Sequence, residues 1–466
     1  MKKITIQILM TFVALLLSLG AMSQSDYKVS FFIHEYEDSI IYIEGYCGSD
    51  NKVMDSVKVA KDGGFYWTAN GYLMGMYMVK SHKGDLFSFC LDLSKEFSIE
   101  IYENGEFFVK NSPENDAYFL YQKENKKCQT AMYYYKIKAS EKGANVDSLR
   151  TDILTVIDSF NAFQKSFFKA YPYNLITVVS DGMNQSAPSY FFENGKVKKG
   201  METQYATYYR QHYWDRFHFN DRRILYTPYF IKQFNNYISE ITVQQPDSVC
   251  KSIDEFIAKA DKNGGKEYAD YVIAWYLDNS PKMPFSFNEI IYSHIIKNYL
   301  ERASKYLMPS VIEFHQENIK RITPFLPGNT MPNIVLRDFN GEVHKLYALK
   351  NAYTVLYFFS STCASCKKNI DDLKNFYKEY KDKYNVEIYS IDIEQDYALS
   401  KAHQETEPFD WIVTHATAEE LAPYNFQLDH TPSLFILDKH KKILNKTAIY
   451  NHVQQSIEND INSPKQ

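Results

Sequence analysis

Hydrophobic and polar positions alternate through the first part of the chain, from Tyr27 to about Val109. Runs of this kind occupy residues 29–33, 40–43, 86–89 and 97–101. A period of two is typical of strands that bury one face. Glycine-containing turns at 62–64 and 104–105 separate such runs, and Asn-Gly at the second is a strong hairpin signal. We therefore predict an N-terminal antiparallel β domain, resembling a sandwich, over residues 24–112.

Between residues 113 and 326 the spacing of hydrophobic positions becomes that of helices. Ile153, Val156, Ile157 and Phe160 follow the i, i+3, i+4, i+7 pattern of one buried helix face. Residues 267–277 and 290–306 have a similar pattern. We predict a central all-α domain over residues 113–326.

One segment of this helical region, residues 208–223, combines many aromatic rings with charged side chains. Its His212 and His218 are six positions apart, which places them on different faces of a helix and is a poor spacing for metal ligands. We expect no metal site there. A packed, hydrogen-bonded seam is the favoured interpretation, and a partner-binding face is the alternative.

Two prolines and a glycine within residues 323–328 predict the start of a third domain, residues 327–466. The run 353–359 is almost continuously apolar, which is typical of a strand buried on both faces. Cys363-Ala364-Ser365-Cys366 follows this strand, and an amphipathic helical pattern follows the cysteines. We therefore expect both cysteines at a strand-to-helix junction of an α/β domain.

That position favours thiol chemistry. Free amide groups and the macrodipole at a helix N-terminus stabilise an anion, so the pKa of Cys363 should be lowered and Cys363 should be the nucleophile. Cys366 lies one turn later and can attack a mixed disulfide at Cys363 as the resolving thiol. Half a zinc site shares this spacing, but the sequence lacks the second Cys-x-x-Cys or nearby pair of histidines that zinc would need. A purely structural disulfide is the other alternative.

The order of these features resembles the extracytoplasmic thioredoxin-like thiol–disulfide oxidoreductases of the TlpA type, over residues 328–460. The matching features are the strand before Cys363, the Cys-Ala-Ser-Cys pair, and Thr431-Pro432 ahead of a terminal hairpin. The resemblance implies a cis Thr431–Pro432 peptide facing the disulfide, with the Thr431 backbone pairing with an extended substrate. It also implies protein thiol or disulfide substrates, a separate redox partner and no cofactor.

This chain departs from relatives of that fold at three positions. Thr362 stands where the family often has tryptophan, Tyr357 where cytoplasmic thioredoxins have a buried acid, and Asp371 where they have a helix proline. Leu356 and Ser360 replace the proline and threonine that peroxidases of this fold place before the reactive cysteine. The front of the chain resembles the β-rich and helical domains of unknown function that accompany such thioredoxins in exported proteins of Bacteroidota.

The first 23 residues have the order of a secretory signal peptide. Lys2 and Lys3 precede an apolar run over 4–19, and Ala21-Met22-Ser23 supplies small residues for cleavage. We expect export to the periplasm, with an uncleaved membrane anchor as the alternative. No later stretch approaches about 18 uninterrupted apolar residues, so the mature chain is not expected to span a membrane.

Charge and aromatic content limit the kinds of partner that the protein can bind. A net charge of −5 provides no basic field for nucleic acid. Aromatic residues reach 16%, which requires sizeable cores or faces that bind carbohydrate or protein partners.

The four cysteines outside the dithiol are expected to be mainly buried thiols, with one structural bridge left open; they are Cys47, Cys90, Cys128 and Cys250.

Together these features predict an exported enzyme, a thiol–disulfide oxidoreductase that exchanges disulfides with protein substrates through Cys363 and Cys366. The substrate-positioning residues would be Thr431 and Pro432. The alternative is a binding or scaffold protein that uses the thioredoxin-like domain for docking, because two thirds of the chain lies outside that domain.

Overall fold

The computed structural model describes residues 25–34, 36, 39–47, 50–141, 145–183, 187–193, 196–279, 286–305, 307–424, 426, 431–447 and 450–462. The predicted signal peptide, residues 1–23, lies outside the described residues. The described part divides into two compact units. One extends to Gln244 and includes Lys251–Ala269; the other consists of Gln245–Cys250 and Asp270–Gln466.

The strands are β1 (Ser25–Ile33), β2 (Ile40–Cys47), β3 (Asp50–Lys58), β4 (Gly64–Tyr72), β5 (Gly75–Ser81), β6 (Gly84–Leu91), β7 (Glu96–Ile101), β8 (Phe107–Lys110), β9 (Phe192–Glu193), β10 (Lys196–Val197), β11 (Val335–Arg337), β12 (Val343–Lys345), β13 (Tyr353–Phe359), β14 (Val386–Asp392), β15 (Ile412–His415), β16 (Ser433–Leu437) and β17 (Ile443–Thr447). The helices are α1 (Pro113–Ser140), α2 (Val146–Ala170), α3 (Leu175–Met183), α4 (Glu202–His212), α5 (Pro228–Asn236), α6 (Pro246–Lys262), α7 (Lys266–Asn279), α8 (Ser286–Ser304), α9 (Pro309–Ile322), α10 (Ala364–Tyr384), α11 (Tyr397–Thr406), α12 (Ala418–Leu421) and α13 (Asn451–Asn462).

The first unit begins with two four-stranded sheets, ordered β4-β1-β7-β8 and β3-β2-β5-β6. Aromatic rings from both sheets meet in one core. Phe31 of β1 stacks on Phe65 of β4 at 4.7 Å and meets Phe89 of β6 edge-on at 5.1 Å. Alternate residues of β4 are buried and exposed, as the period of two predicted. The predicted N-terminal β domain is confirmed.

One feature of that domain differs from the antiparallel prediction, because β1 pairs with β7 in parallel. The chain leaves the first sheet after β4, builds β5 and β6 into the second sheet, and returns as β7 in the direction of β1. Hydrophobic periodicity shows which face of a strand is buried but not which strand it pairs with, so it could not predict this parallel pairing. The turns predicted at 62–64 and 104–105 are present, with Gly63 and Gly105 at positive φ.

The central region is helical, as predicted, apart from the short antiparallel pair β9 and β10. Strands of two residues are too short to produce a recognisable hydrophobic period, so the sequence could not predict them. The ring-rich segment is a packed seam: Trp214, Phe217 and Phe219 are buried. Its histidines contact carboxylates, since His218 Nε2 lies 2.9 Å from the Asp181 carboxylate.

The second unit contains a five-stranded sheet of order β15-β14-β13-β16-β17. The neighbours of β13 are parallel β14 and antiparallel β16. Every residue of β13 is buried, because one core lies on each face of the sheet. Val355, Tyr357 and Phe359 face the core that includes α10 and α13, whereas Leu356 and Phe358 face the other. The predicted C-terminal α/β domain is confirmed.

Strand β15 of this sheet and the helices α11 and α13 of the same domain were not predicted. Strand β15 has only four residues and joins the sheet in parallel beside β14. No described helix has the length and apolar character needed to cross a membrane.

Candidate active site

The two cysteines lie where the sequence predicted, at the junction between β13 and α10. Cys363 is the N-cap of α10, and its Sγ accepts a hydrogen bond from the Cys366 backbone N–H at 3.3 Å. A sulfur at this position sits at the positive end of the helix macrodipole. The junction therefore provides a stabilised site for a thiolate.

Hydrogen bonds decide the acidity of Cys363. Burial of this half-buried thiol would raise its pKa, but hydrogen bonds from the side chains of Cys366 and Ser365 outweigh burial and lower the pKa to about 7. The Ser365 hydroxyl lies 3.1 Å from the Cys363 Sγ. A substantial fraction of Cys363 is thus a thiolate near neutral pH.

Cys366 has the opposite character. Its side chain is 0% exposed, and burial together with its hydrogen bond to Cys363 raises its pKa to about 12. The Tyr357 hydroxyl donates to the Cys366 carbonyl at 3.2 Å, and burial raises the pKa of Tyr357. Cys363 is accordingly the more acidic of the two thiols, and Cys366 is the buried and less acidic one.

Thr431 and Pro432 lie next to the dithiol because β16 pairs with β13, with Ser433 opposite Phe358. The Thr431 carbonyl is 3.7 Å from the Cys363 Sγ, and the Thr431–Pro432 peptide is cis. All four predicted site residues are therefore in one place in the structure.

One carboxylate near the dithiol was not predicted. Glu394 accepts hydrogen bonds from the hydroxyls of Ser360, at 2.7 Å, and Thr362. These bonds, with that of Ser360 first, hold the pKa of Glu394 below its usual range. The Ser360 carbonyl in turn accepts from the Cys363 N–H at 3.0 Å, so Glu394 fixes the segment that leads into the nucleophile.

A second carboxylate, Asp392, is buried at the end of β14. It accepts hydrogen bonds from the backbone N–H groups of Ser361 at 3.2 Å and Glu394 at 3.0 Å, and from the Ser400 hydroxyl. A sequence signal for both acids exists, because parallel neighbours such as β13 and β14 end at the same edge of a sheet. Acids at or just after the end of β14 therefore lie beside the residues that follow β13.

The other cysteines belong to elements other than β13 and α10. Cys90 and Cys128 are free thiols, and Cys250 is a buried thiol. The side chain of Cys47 lies outside the described residues. Among the described residues, the group that could gather around a metal ion is Asp338, Glu342 and His344, which does not include the dithiol.

Comparisons with known proteins match two regions of the chain. Residues 327–446 match the AhpC/TSA family, and residues 200–319 match the domain of unknown function DUF5106. Thiol-disulfide oxidoreductase ResA of Bacillus cereus is 25% identical over 119 residues, which are 26% of this chain and 68% of that protein. ResA of Geobacillus kaustophilus is 26% identical over 135 residues, 28% of this chain and 76% of that protein.

Among solved structures, a thioredoxin-like protein from Bacteroides caccae is 18% identical, with a TM-score of 0.46, over 60% of this chain and 98% of that one. The family match and the ResA relatives fall on the region that contains Cys363 and Cys366. Residues 327–446 therefore form a thioredoxin-like domain that matches the AhpC/TSA family and is similar to the thiol-disulfide oxidoreductase ResA.

Proposed function

We propose that this protein is an exported thiol–disulfide oxidoreductase that exchanges disulfides with protein substrates through Cys363 and Cys366. One observation carries the proposal: the two sulfurs have opposite acidities, with pKa values of about 7 and about 12. A nucleophile that ionises near neutrality beside a thiol that stays protonated is the arrangement that dithiol exchange needs.

The exchange has two steps. The Cys363 thiolate attacks one sulfur of a substrate disulfide, forms a mixed disulfide and releases the other substrate sulfur as a thiolate. Cys366 then loses its proton and attacks the Cys363 Sγ, which releases the second substrate thiol and leaves a Cys363–Cys366 disulfide. The substrate gains two electrons, and an external dithiol must return two electrons to the enzyme.

Thr431 and Pro432 are proposed as the substrate-positioning residues. The distance of 3.7 Å from the Thr431 carbonyl to the Cys363 Sγ supports this role. An extended substrate segment that pairs with the Thr431 backbone would present its disulfide to the nucleophile.

Insulin reduction by the pre-reduced protein tests the activity. We expect wild-type protein to accelerate reduction, Cys363→Ser to abolish it, and Cys366→Ser to accumulate mixed disulfides visible on non-reducing gels. Cys128→Ser is the matched control, since this thiol lies in α1, outside the thioredoxin-like domain, and should keep full activity. A folded wild-type protein that neither reduces insulin nor traps a mixed disulfide would contradict the proposal.

Export and the domain limits are parts of the same proposal. We propose that residues 1–23 are a cleaved signal peptide and that the mature protein works in the periplasm. We also propose the limits 24–112, 113–326 and 327–466 for the three domains. N-terminal sequencing of the protein secreted by an expression host should begin at residue 24, and intact residues 1–23 would contradict cleavage.

A further inference from the structure

A large cavity lies in the first unit, and the residues that line it, between Tyr27 and Tyr226, do not include the dithiol. Its volume is about 750 Å³, which is in the range of sites that bind small organic ligands. The walls come from the β domain and from the helical segments that follow it within the same unit. Five tyrosines line it, namely Tyr27, Tyr72, Tyr171, Tyr173 and Tyr226.

Close backbone packing fixes one wall. A Cβ atom at Gly75 would lie 2.5 Å from the Tyr226 Cβ and 2.8 Å from the Tyr226 carbonyl oxygen. Only glycine permits this approach of β5 to the segment that bears Tyr226. A second ring, Tyr27, is fully buried and donates its hydroxyl to the Asp92 carbonyl at 2.9 Å. These rings are held before any ligand arrives.

Several polar side chains that line the cavity are held by one another. Arg223 Nε and Nη2 donate to the Asp221 carboxylate, and Nη2 also donates to the Tyr173 carbonyl at 3.0 Å. Glu114 accepts from the Leu175 N–H at 2.6 Å and lies 3.9 Å from Arg223 Nη1. These contacts hold carboxylate and guanidinium groups of the lining in place.

The charges of the lining nearly cancel. Three acids, Asp92, Glu114 and Asp221, face two bases, Arg222 and Arg223. Burial raises the pKa of Glu114 to about 7, so part of the Glu114 population is neutral at that pH. The acids would repel an anionic ligand, and the arginines would repel a cationic ligand. The lining therefore favours an uncharged ligand.

The mixture of groups restricts that ligand further. A purely apolar molecule would displace water from the exposed Asn220 amide and from the part-exposed Arg222 guanidinium without replacing its hydrogen bonds, at a cost in free energy. A ligand with many hydroxyl groups and flat C–H faces can interact with both the polar groups and the tyrosine rings that line the cavity. Hydroxyls donate to carboxylates and accept from guanidinium and amide groups, while the C–H faces pack on the tyrosine rings.

We propose that this cavity binds a neutral saccharide. Tyr173, which is 84% exposed at the rim, provides a ring face for one sugar unit. Asn220, also exposed and lining the cavity, provides an amide for the sugar hydroxyls. This proposal does not depend on the dithiol activity.

An array of neutral and acidic oligosaccharides, probed with the full mature protein, tests the proposal, and titration calorimetry with the strongest neutral member measures the affinity. We expect Tyr173→Ala to weaken binding roughly three- to tenfold and Asn220→Ala roughly fivefold. Tyr66→Ala is the matched control, because this tyrosine is 80% exposed and does not line the cavity. Its affinity should equal that of the wild type, and insulin reduction should be unchanged in all three variants.

Three results would overturn the proposal. The first is that no neutral member of the array binds to the wild-type protein. The second is binding confined to acidic members or displaced by apolar peptides and not by free neutral sugar, which would contradict the charge argument. The third is saccharide binding that Tyr173→Ala and Asn220→Ala leave unchanged, which would place the sugar elsewhere on the protein.

Discussion

At the scale of single residues, burial of Cys366 and the direction of the hydrogen bond between the two cysteines give their thiols different pKa values. Cys363 accepts from the Cys366 side chain and backbone and from Ser365. Cys366 donates and is buried. The reactivity of the pair therefore depends on donors around Cys363 more than on nearby charge.

The Ser365 hydroxyl should control the pH profile of Cys363. In the wild type, alkylation of Cys363 by iodoacetamide should rise with pH through about 7 and level off above it, because the thiolate is the nucleophile. Ser365→Ala removes one donor, raises the pKa of Cys363 and should slow alkylation at pH 6.5 roughly two- to fivefold. Ser456→Ala, in α13, is the control and should keep the wild-type profile. An unchanged profile in Ser365→Ala would contradict this assignment.

Asp392 should contribute more to stability than an exposed acid. Asp392→Ala leaves the N–H groups of Ser361 and Glu394 without their acceptor in a buried site, which should cost about 2–4 kcal/mol of the free energy of unfolding. Asp371→Ala on the exposed face of α10 should cost less than about 0.5 kcal/mol. Urea unfolding followed by circular dichroism compares the two, and equal midpoints would refute the role given to Asp392.

At the scale of elements, local patterns predicted single strands and helices better than their partners. The strand at 353–359 and the helix after Cys363 were predicted because an unbroken apolar run and an amphipathic run give distinct signals. The acids Asp392 and Glu394 were missed because their role appears only once β14 is placed beside β13. The parallel pairing of β1 with β7 was missed for the same reason, since β-strand pairing is a long-range property.

The contact between β5 and the residues 222–226 segment depends on Gly75. Gly75→Ala should force the backbone away from Tyr226, given the 2.5 Å approach of a Cβ atom, and destabilise the protein by about 2–4 kcal/mol. Gly64→Ala meets its nearest neighbour, a side-chain oxygen of Asp62, at 3.2 Å and should cost about 1 kcal/mol or less. Thermal unfolding measures both variants, and similar losses would show that close packing at Gly75 is unimportant.

At the scale of the whole molecule, the helical region is divided between the two units. Helices α8 and α9 belong to the unit that contains the thioredoxin-like sheet. An ion pair joins α8 to that sheet: Lys446 of β17 lies 2.6 and 2.5 Å from the two carboxylate oxygens of Glu289. Lys446 also lies 5.5 Å from the centre of the Phe435 ring.

Removing Glu289 should loosen the edge of the sheet. Glu289→Ala leaves the buried Lys446 ammonium without its partner and should cost about 1–3 kcal/mol. Amide hydrogen exchange in β17 should therefore be faster in this variant than in the wild-type protein. Glu317→Ala, which breaks an exposed pair with Lys320, should leave exchange in β17 unchanged. Equal protection of β17 in both variants would contradict a stabilising role for the α8–β17 pair.

The position of β1 also sets an order of events during synthesis. This strand pairs with β4 on one side and with β7 on the other, so that Val29 lies opposite both Trp67 and Phe97. Strand β1 emerges from the ribosome first, but it cannot pair with β7 until residues up to Ile101 have also emerged. Until then one edge of β1 stays open to other chains. A chaperone that holds the nascent chain would thus matter most over the first hundred residues.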